Sequence, residues 1–230
     1  MRKANSPFTS AIAQLADYYG AQKPLPSPDP LELVIWENVG YLISDERRQK
    51  AFDRLRRNIG TTAKSILSAN RDDLYEVASL GGMLPEMRVQ KLLTIARIAA
   101  DEFGGRLDGV IKMPLAAAKK ALKMFPSIGD PGAEKILLFS GAHPVMALDS
   151  NGLRVLCRLG FGREQKNYSA TYRSVQTALK EQFKEDTDWL IQAHLLLRKH
   201  GQELCRRARP VCQPCPLNKT CAFYKAGPQS

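Results

Sequence analysis

The sequence predicts an all-α protein. Three observations carry this. Apolar residues recur at helical spacing along nearly the whole chain, no run alternates as a half-buried strand requires, and Gly, Pro and Asp punctuate the apolar stretches at helix-length intervals. With 230 residues, 44% of them hydrophobic, the chain can bury one large core or two smaller ones. The first helix is expected over 7–20. The proline-rich KPLPSPDP at 23–30 breaks it, and Asp29 followed by Pro30 starts the next. Proline suits a first helical position because its missing N–H has no partner there anyway. Further helices are expected over 31–43, 46–58, 61–69, 71–79, 86–103, 114–124, 131–141, 150–159, 168–183 and 186–199. The polar tail after Cys221 is expected to fray.

Lys and Arg outnumber Asp and Glu by 34 to 23, a net charge of +11, and the pI is near 9.6. Such a surplus favours a polyanionic partner, since each neutralised phosphate releases condensed counterions. A merely basic soluble protein would have the same composition. No stretch approaches the ~20 consecutive apolar residues of a membrane-spanning helix. The N-terminal MRKANSPFTSAIAQLADYY lacks the continuous apolar core of a secretion signal. An intracellular, cytoplasmic or nucleoid-associated location is expected.

Four of the five cysteines fall within 17 residues, as Cys205-x6-Cys212-x2-Cys215-x5-Cys221. In a reducing compartment such a cluster suggests a metal rather than disulfides. Four-cysteine zinc sites usually pair two CxxC knuckles, and only one is present here; four cysteines are also the ligand set of a 4Fe–4S cluster. Spacing alone leaves iron–sulfur, zinc and no metal open. Cys157 stands apart in LRVLCRL and is expected to be a buried small hydrophobe. Arg206, Arg207 and Arg209 lie inside the cysteine loop, either to meet phosphates or as a solvated surface.

A second constellation is MFPSIGDPGAEKILLF at 124–139. A helix ends near Phe125, Pro126 to Gly129 turn, and a new helix starts with Asp130 as its expected N-cap and Pro131 at its first position. Such a turn aims backbone N–H groups outward at a helix N-terminus, where phosphate binds readily. Any αα-hairpin could carry this pattern. Asp149 precedes a further helix, SNGLRVLCRL, and is a natural N-cap. Glu37 sits in the otherwise apolar LELVIWENVGYLI, the setting of a general acid, or is simply a carboxylate on a helix face.

These segments, in this order, resemble the endonuclease III superfamily of helix-hairpin-helix DNA glycosylases, over roughly residues 30–225. Phe125, Pro126, Ile128, Gly129 and Ala133 match its hairpin, with Ser127 replacing the first hairpin glycine. ALDSNGLRVLCRLGF at 147–161 is similar to the segment that carries its catalytic aspartate, which falls on Asp149. The cysteine spacing, preceded by His200-Gly201, resembles its iron–sulfur loop. The resemblance implies a six-helix barrel over 30–143 that ends in the hairpin. It implies a second helical domain over 144–230, with 1–29 packed on it and a 4Fe–4S cluster held by Cys205, Cys212, Cys215 and Cys221. The expected protein is monomeric and acts on double-stranded DNA.

The same resemblance assigns candidate roles. Ser127, Ile128, Gly129 and Gly132 would grip phosphate. Met83 and Leu84, in GGMLPEM at 81–87, would wedge into the duplex where a nucleotide leaves, with Arg88 on a phosphate. The alternative is an ordinary turn with its hydrophobes tucked into the core. Asn38 and Tyr41 would line the base pocket, and Asp149 with Glu37 would be catalytic. Bifunctional members carry a nucleophilic lysine where this chain has Pro131. The expectation is therefore a monofunctional glycosylase. Its rivals are a bifunctional enzyme with a relocated lysine (Lys135, Lys119, Lys120 or Lys123) and a non-enzymatic DNA-binding iron–sulfur protein.

Overall fold

The computed structural model describes residues 6–183 and 186–227. Among them every regular element is a helix. In chain order these are α1 (Pro7–Tyr19), α2 (Pro30–Asn38), α3 (Asp45–Asn58), α4 (Ala63–Leu67), α5 (Arg71–Leu80), α6 (Pro85–Phe103) and α7 (Asp108–Ile111). After them come α8 (Leu115–Leu122), α9 (Asp130–Phe139), α10 (Ser150–Leu159), α11 (Tyr168–Leu179), α12 (Thr187–Glu203) and α13 (Ala222–Lys225). The chain divides into two compact units, one from Leu25 to His143 and one that joins the segment up to Pro24 with everything from Pro144.

In the 25–143 unit, α2 is the central helix. Pro30, Leu31, Leu33, Val34, Ile35, Trp36 and Asn38 are all buried, so nearly every side of it meets protein. It packs on α6 and α9; α4 and α5 pack on α6, and α3 packs on α5. Asp29 starts α2 as expected, its side chain accepting from the Glu32 N–H at 2.9 Å. The helix stops at Asn38, not near 43. The chain then turns through Val39 and Gly40, and Leu42 takes a positive φ of 52°. Tyr41 and Leu42 are thereby placed on a loop that periodicity alone had assigned to the helix.

In the other unit, α10 packs against α12, α11 and α13, and α12 also carries α1. Phe8 of α1 fixes that attachment through edge contacts with Phe161, Phe183 and Trp189, ring centroids 5.7–5.8 Å apart. The tail after Cys221 is expected to fray; residues 228–230 lie outside the described ones, and the part before them is ordered. It forms α13 against α10, with a cation–π contact of Arg158 on Phe223 at 4.5 Å. The four-residue helices α7 and α13 are too short to set up a period.

Candidate active site

In the unit formed by the two chain ends, Asp149 is held by both of its oxygens. Oδ1 accepts from the Gly152 N–H at 2.7 Å, the N-cap bond of α10. Oδ2 lies 3.2 Å from the Asn151 amide nitrogen, which donates to it, and 3.4 Å from Arg198 Nε on α12. The capping and functional readings of Asp149 are therefore geometrically compatible. The strand-like approach to it is tied down as well. Gln176 donates to the Met146 carbonyl at 2.6 Å, and His194 Nδ1 lies 2.9 Å from the Ala147 carbonyl.

A hydrogen-bonded path runs from this carboxylate to the cysteine loop. Arg154 Nη2 donates to Asn151 Oδ1 at 2.9 Å and to the Gly201 carbonyl at 2.7 Å, while its Nε donates to the Cys205 carbonyl at 2.9 Å. Arg158, one turn on, donates to Cys205 Sγ at 3.4 Å and to the carbonyls of Arg206 and Arg207. The sequence reading left out Asn151, Arg154, Arg158 and Arg198. The first three share one α10 face at helical spacing, a legible signal; Arg198 comes from a distant segment with none. Gly201 is explained by close packing, since a Cβ there would lie 2.7 Å from Asn151 Cβ.

Cys205, Cys212, Cys215 and Cys221 line one small cavity together with His200, Arg158 and Leu217. Among the described residues no three His, Cys, Asp or Glu side chains are arranged as ligands of one ion. Burial, with the neighbouring cysteines adding to it, pushes Cys215 up to about 11. Burial holds the His200 imidazole down at about 4, hence neutral. Arg206, Arg207 and Arg209 are exposed. Cys157 departs from expectation: it is half-buried, not fully inside, and burial raises its thiol pKa, which disfavours the thiolate.

In the 25–143 unit the hairpin between α8 and α9 forms as the sequence predicts, with one correction. Gly129 is the N-cap of α9, and Asp130 is its first residue and makes no capping bond. The Asp130 carboxylate instead takes Lys123 at 3.0 Å and Lys119 at 3.5 Å. Ser127, exposed, occupies the left-handed region with φ 63°, the conformation for which glycine is favoured. Its hydroxyl accepts from Lys91 at 2.9 Å. Ile128 is buried, and Gly132 packs beside it, where a Cβ would meet Ile128 Cγ2 at 3.5 Å. Ile128 therefore supports the hairpin from beneath, and Ser127 and Gly129 form its exposed surface.

Burial tends to lower the Lys119 pKa, but Glu134 and Asp130 outweigh it and hold that ammonium above its ordinary range. Lys135 of α9 donates to Glu37 of α2 at 2.7 Å, with 15% and 21% of the two side chains exposed. Asn38 is buried and donates to the Val34 carbonyl at 3.0 Å, while its Oδ1 has no protein partner. Tyr41 is 67% exposed.

The 81–87 loop carries Met83 and Leu84 at 72% and 64% exposure, so they are not core residues. Arg88 is a correction. It is buried, and its guanidinium donates to the carbonyls of Ala78, Gly82 and Met83, so it braces the loop from inside and is not on the surface to meet a phosphate. The neighbouring loop closes against this one, the Tyr41 N–H donating to the Gly81 carbonyl at 3.1 Å. A Cβ at Gly81 would come within 2.1 Å of the Val39 carbonyl oxygen. Leu42, on that loop and 77% exposed, was missed because it reads as part of an apolar helix face. Leu42 and Leu84 are both non-glycine residues at positive φ, 52° and 59°.

Fold and hairpin together define the class, a helix-hairpin-helix protein of two all-helical units. No family model matches the chain. It is 25% identical over 197 residues to endonuclease III of Thermotoga maritima, covering 86% of this chain and 84% of that one. It is 26% identical over 161 residues to a thymine-DNA glycosylase of Aeropyrum pernix, covering 70% and 68%. Among solved structures, a trapped covalent intermediate of endonuclease III with DNA superposes with a TM-score of 0.74 at 21% identity, over 94% of this chain and 95% of that one. A thermostable thymine-DNA glycosylase superposes with a TM-score of 0.74 at 17% identity, over 95% of each chain. In sequence the chain is similar to endonuclease III and to thymine-DNA glycosylases, and it shares their all-helical helix-hairpin-helix fold. No helix among the described residues is long and apolar enough to cross a membrane.

Proposed function

We propose that the protein is a monofunctional DNA N-glycosylase of base excision repair. It hydrolyses the N-glycosidic bond of a damaged, mismatched or modified base in duplex DNA and leaves an abasic site. One observation carries the monofunctional reading: the hairpin offers no free amine at the position of attack. Pro131 has no nucleophile, Lys119, Lys123 and Lys135 are each committed to a carboxylate, and Lys120 is exposed to solvent rather than desolvated. A Schiff-base lysine needs a desolvated amine of lowered pKa, and Lys119 is shifted the opposite way.

Breaking the glycosidic bond builds positive charge on the sugar. The Asp149 carboxylate, fixed by Gly152, Asn151 and Arg198, stabilises that charge and takes a proton from the attacking water. Glu37, whose carboxylate Lys135 orients, acts as general acid toward the departing base once it has taken up a proton from water. Met83, Leu84 and Leu42 fill the stack when the nucleotide leaves it. Ser127, Gly129 and Gly132 approach the phosphates.

The cysteine loop is assigned to a 4Fe–4S cluster with Cys205, Cys212, Cys215 and Cys221 as ligands. What supports this over zinc is the donor set: four cysteines lining one cavity with a single CxxC pair, where four-cysteine zinc sites usually carry two. These four cysteines would hold the cluster and with it fix the loop that presents Arg206, Arg207 and Arg209.

The test is base release from duplexes carrying a panel of lesions and mismatches, read as strand breaks with and without hot alkali, beside Asp149→Asn. Breaks only after alkali, and only with the native aspartate, are expected. Breaks without alkali, together with a borohydride-trapped adduct, would overturn the monofunctional reading. Release undiminished in Asp149→Asn would overturn the site.

A further inference from the structure

The imidazole of His200 stands between the cysteine loop and the N-terminal helix, all in one unit. It is 1% exposed. Its Nε2 lies 3.5 Å from Cys215 Sγ, and its Nδ1 lies 3.1 Å from the Tyr19 hydroxyl. A neutral imidazole has one N–H, so it can donate to only one of these neighbours. A ligating thiolate is an acceptor. The ring proton then belongs on Nε2, and Nδ1 must receive a hydrogen bond, which the Tyr19 phenol is placed to give. A phenol keeps its proton at neutral pH, so Tyr19 has one to donate. The ring is held in place by Tyr18, edge-on at 4.7 Å, and by the Lys199 ammonium 5.7 Å over its face.

We propose that Tyr19 and His200 form a directed hydrogen-bond relay onto Cys215 Sγ, which orients that ligand and raises the reduction potential of the metal centre. The inference rests on the iron–sulfur reading above. Its physical basis is that an N–H donated to a ligand sulfur withdraws negative charge and stabilises the more reduced centre. His200 acts through Cys215 and is a positioning residue, and Tyr19 selects its tautomer. The N-terminal helix, nearly 200 residues away in sequence, thereby reaches the cysteine centre.

The test compares the whole protein, purified without oxygen, with Tyr19→Phe, His200→Leu, His200→Gln and the Tyr19→Phe/His200→Gln pair. Iron and sulfide content, midpoint potential and the rate of iron loss in air are measured. Glutamine places an amide N–H where Nε2 stands and needs no tautomer partner. Tyr19→Phe is expected to keep its iron, show a lower potential and lose iron several-fold faster in air. His200→Leu should fall at least as far. His200→Gln should stay near the native potential, and adding Tyr19→Phe to it should change nothing more. A native potential in Tyr19→Phe with full iron overturns the relay alone, as does a full further drop when Tyr19→Phe is added to His200→Gln. A native protein that binds no iron overturns the cofactor reading and the relay with it.

Discussion

At the scale of single residues, Asp149 does two jobs with two oxygens: Oδ1 caps α10 and Oδ2 faces Asn151 and Arg198. Asparagine caps a helix about as well as aspartate, within a few tenths of a kcal/mol. Asp149→Asn should therefore leave the melting temperature nearly unchanged while base release falls on the order of 10²–10⁴-fold. A large loss of stability would mean that the charge serves the fold. The Glu37–Lys135 pair can be separated in the same way. Lys135→Met removes a charged hydrogen bond to a mostly buried carboxylate and should cost about 1.5–3 kcal/mol in denaturant unfolding. It should slow base release without abolishing it, and a complete loss would make Lys135 the nucleophile.

At the scale of elements, the loops around 41–43 and 81–84 are built from one contradiction: two exposed leucines sit where the backbone favours glycine. A left-handed L-residue costs roughly 1–2 kcal/mol. Strain kept at an exposed position points to function, so stability and activity should move in opposite directions. Leu84→Gly is expected to raise stability by up to about 1 kcal/mol and to lower activity on duplex DNA. Equal activity in the stabilised variant would remove the wedge. Arg88 is the brace behind these side chains, donating to three loop carbonyls. Arg88→Met leaves those acceptors without a donor and should cost about 3 kcal/mol. A cost below about 1 kcal/mol, measured by urea unfolding, would mean that water replaces the guanidinium.

At the scale of the whole molecule, the surplus of +11 sets the expectation for DNA binding. The logarithm of affinity should fall linearly with the logarithm of salt concentration, and replacing one phosphate-contacting cation should lower that slope by about 1. Arg207→Ala, on the exposed face of the cysteine loop, tests this with an unreactive duplex. An unchanged slope would place the loop away from the backbone. The Asn151–Arg154 path gives the loop a second consequence. Disordering it withdraws the Cys205 carbonyl from Arg154, so loss of the metal should slow base release as well as weaken binding.

Much of this protein was determined locally. Many helix starts need only a short polar residue before an apolar period, and Asp29, Thr62, Asn70, Asp149 and Asn167 do cap their helices. The cysteine spacing and the hairpin turn are equally local, so they could be read from sequence. The burial of Arg88 behind a loop was decided only in three dimensions, as were the reach of Arg198 to Asp149 and the pairing of Lys135 with Glu37. The same holds for the exposure of Leu42. A helical period says which residues share a face, but not which distant carboxylate or carbonyl that face will meet, because partners brought together by packing leave no mark on sequence spacing.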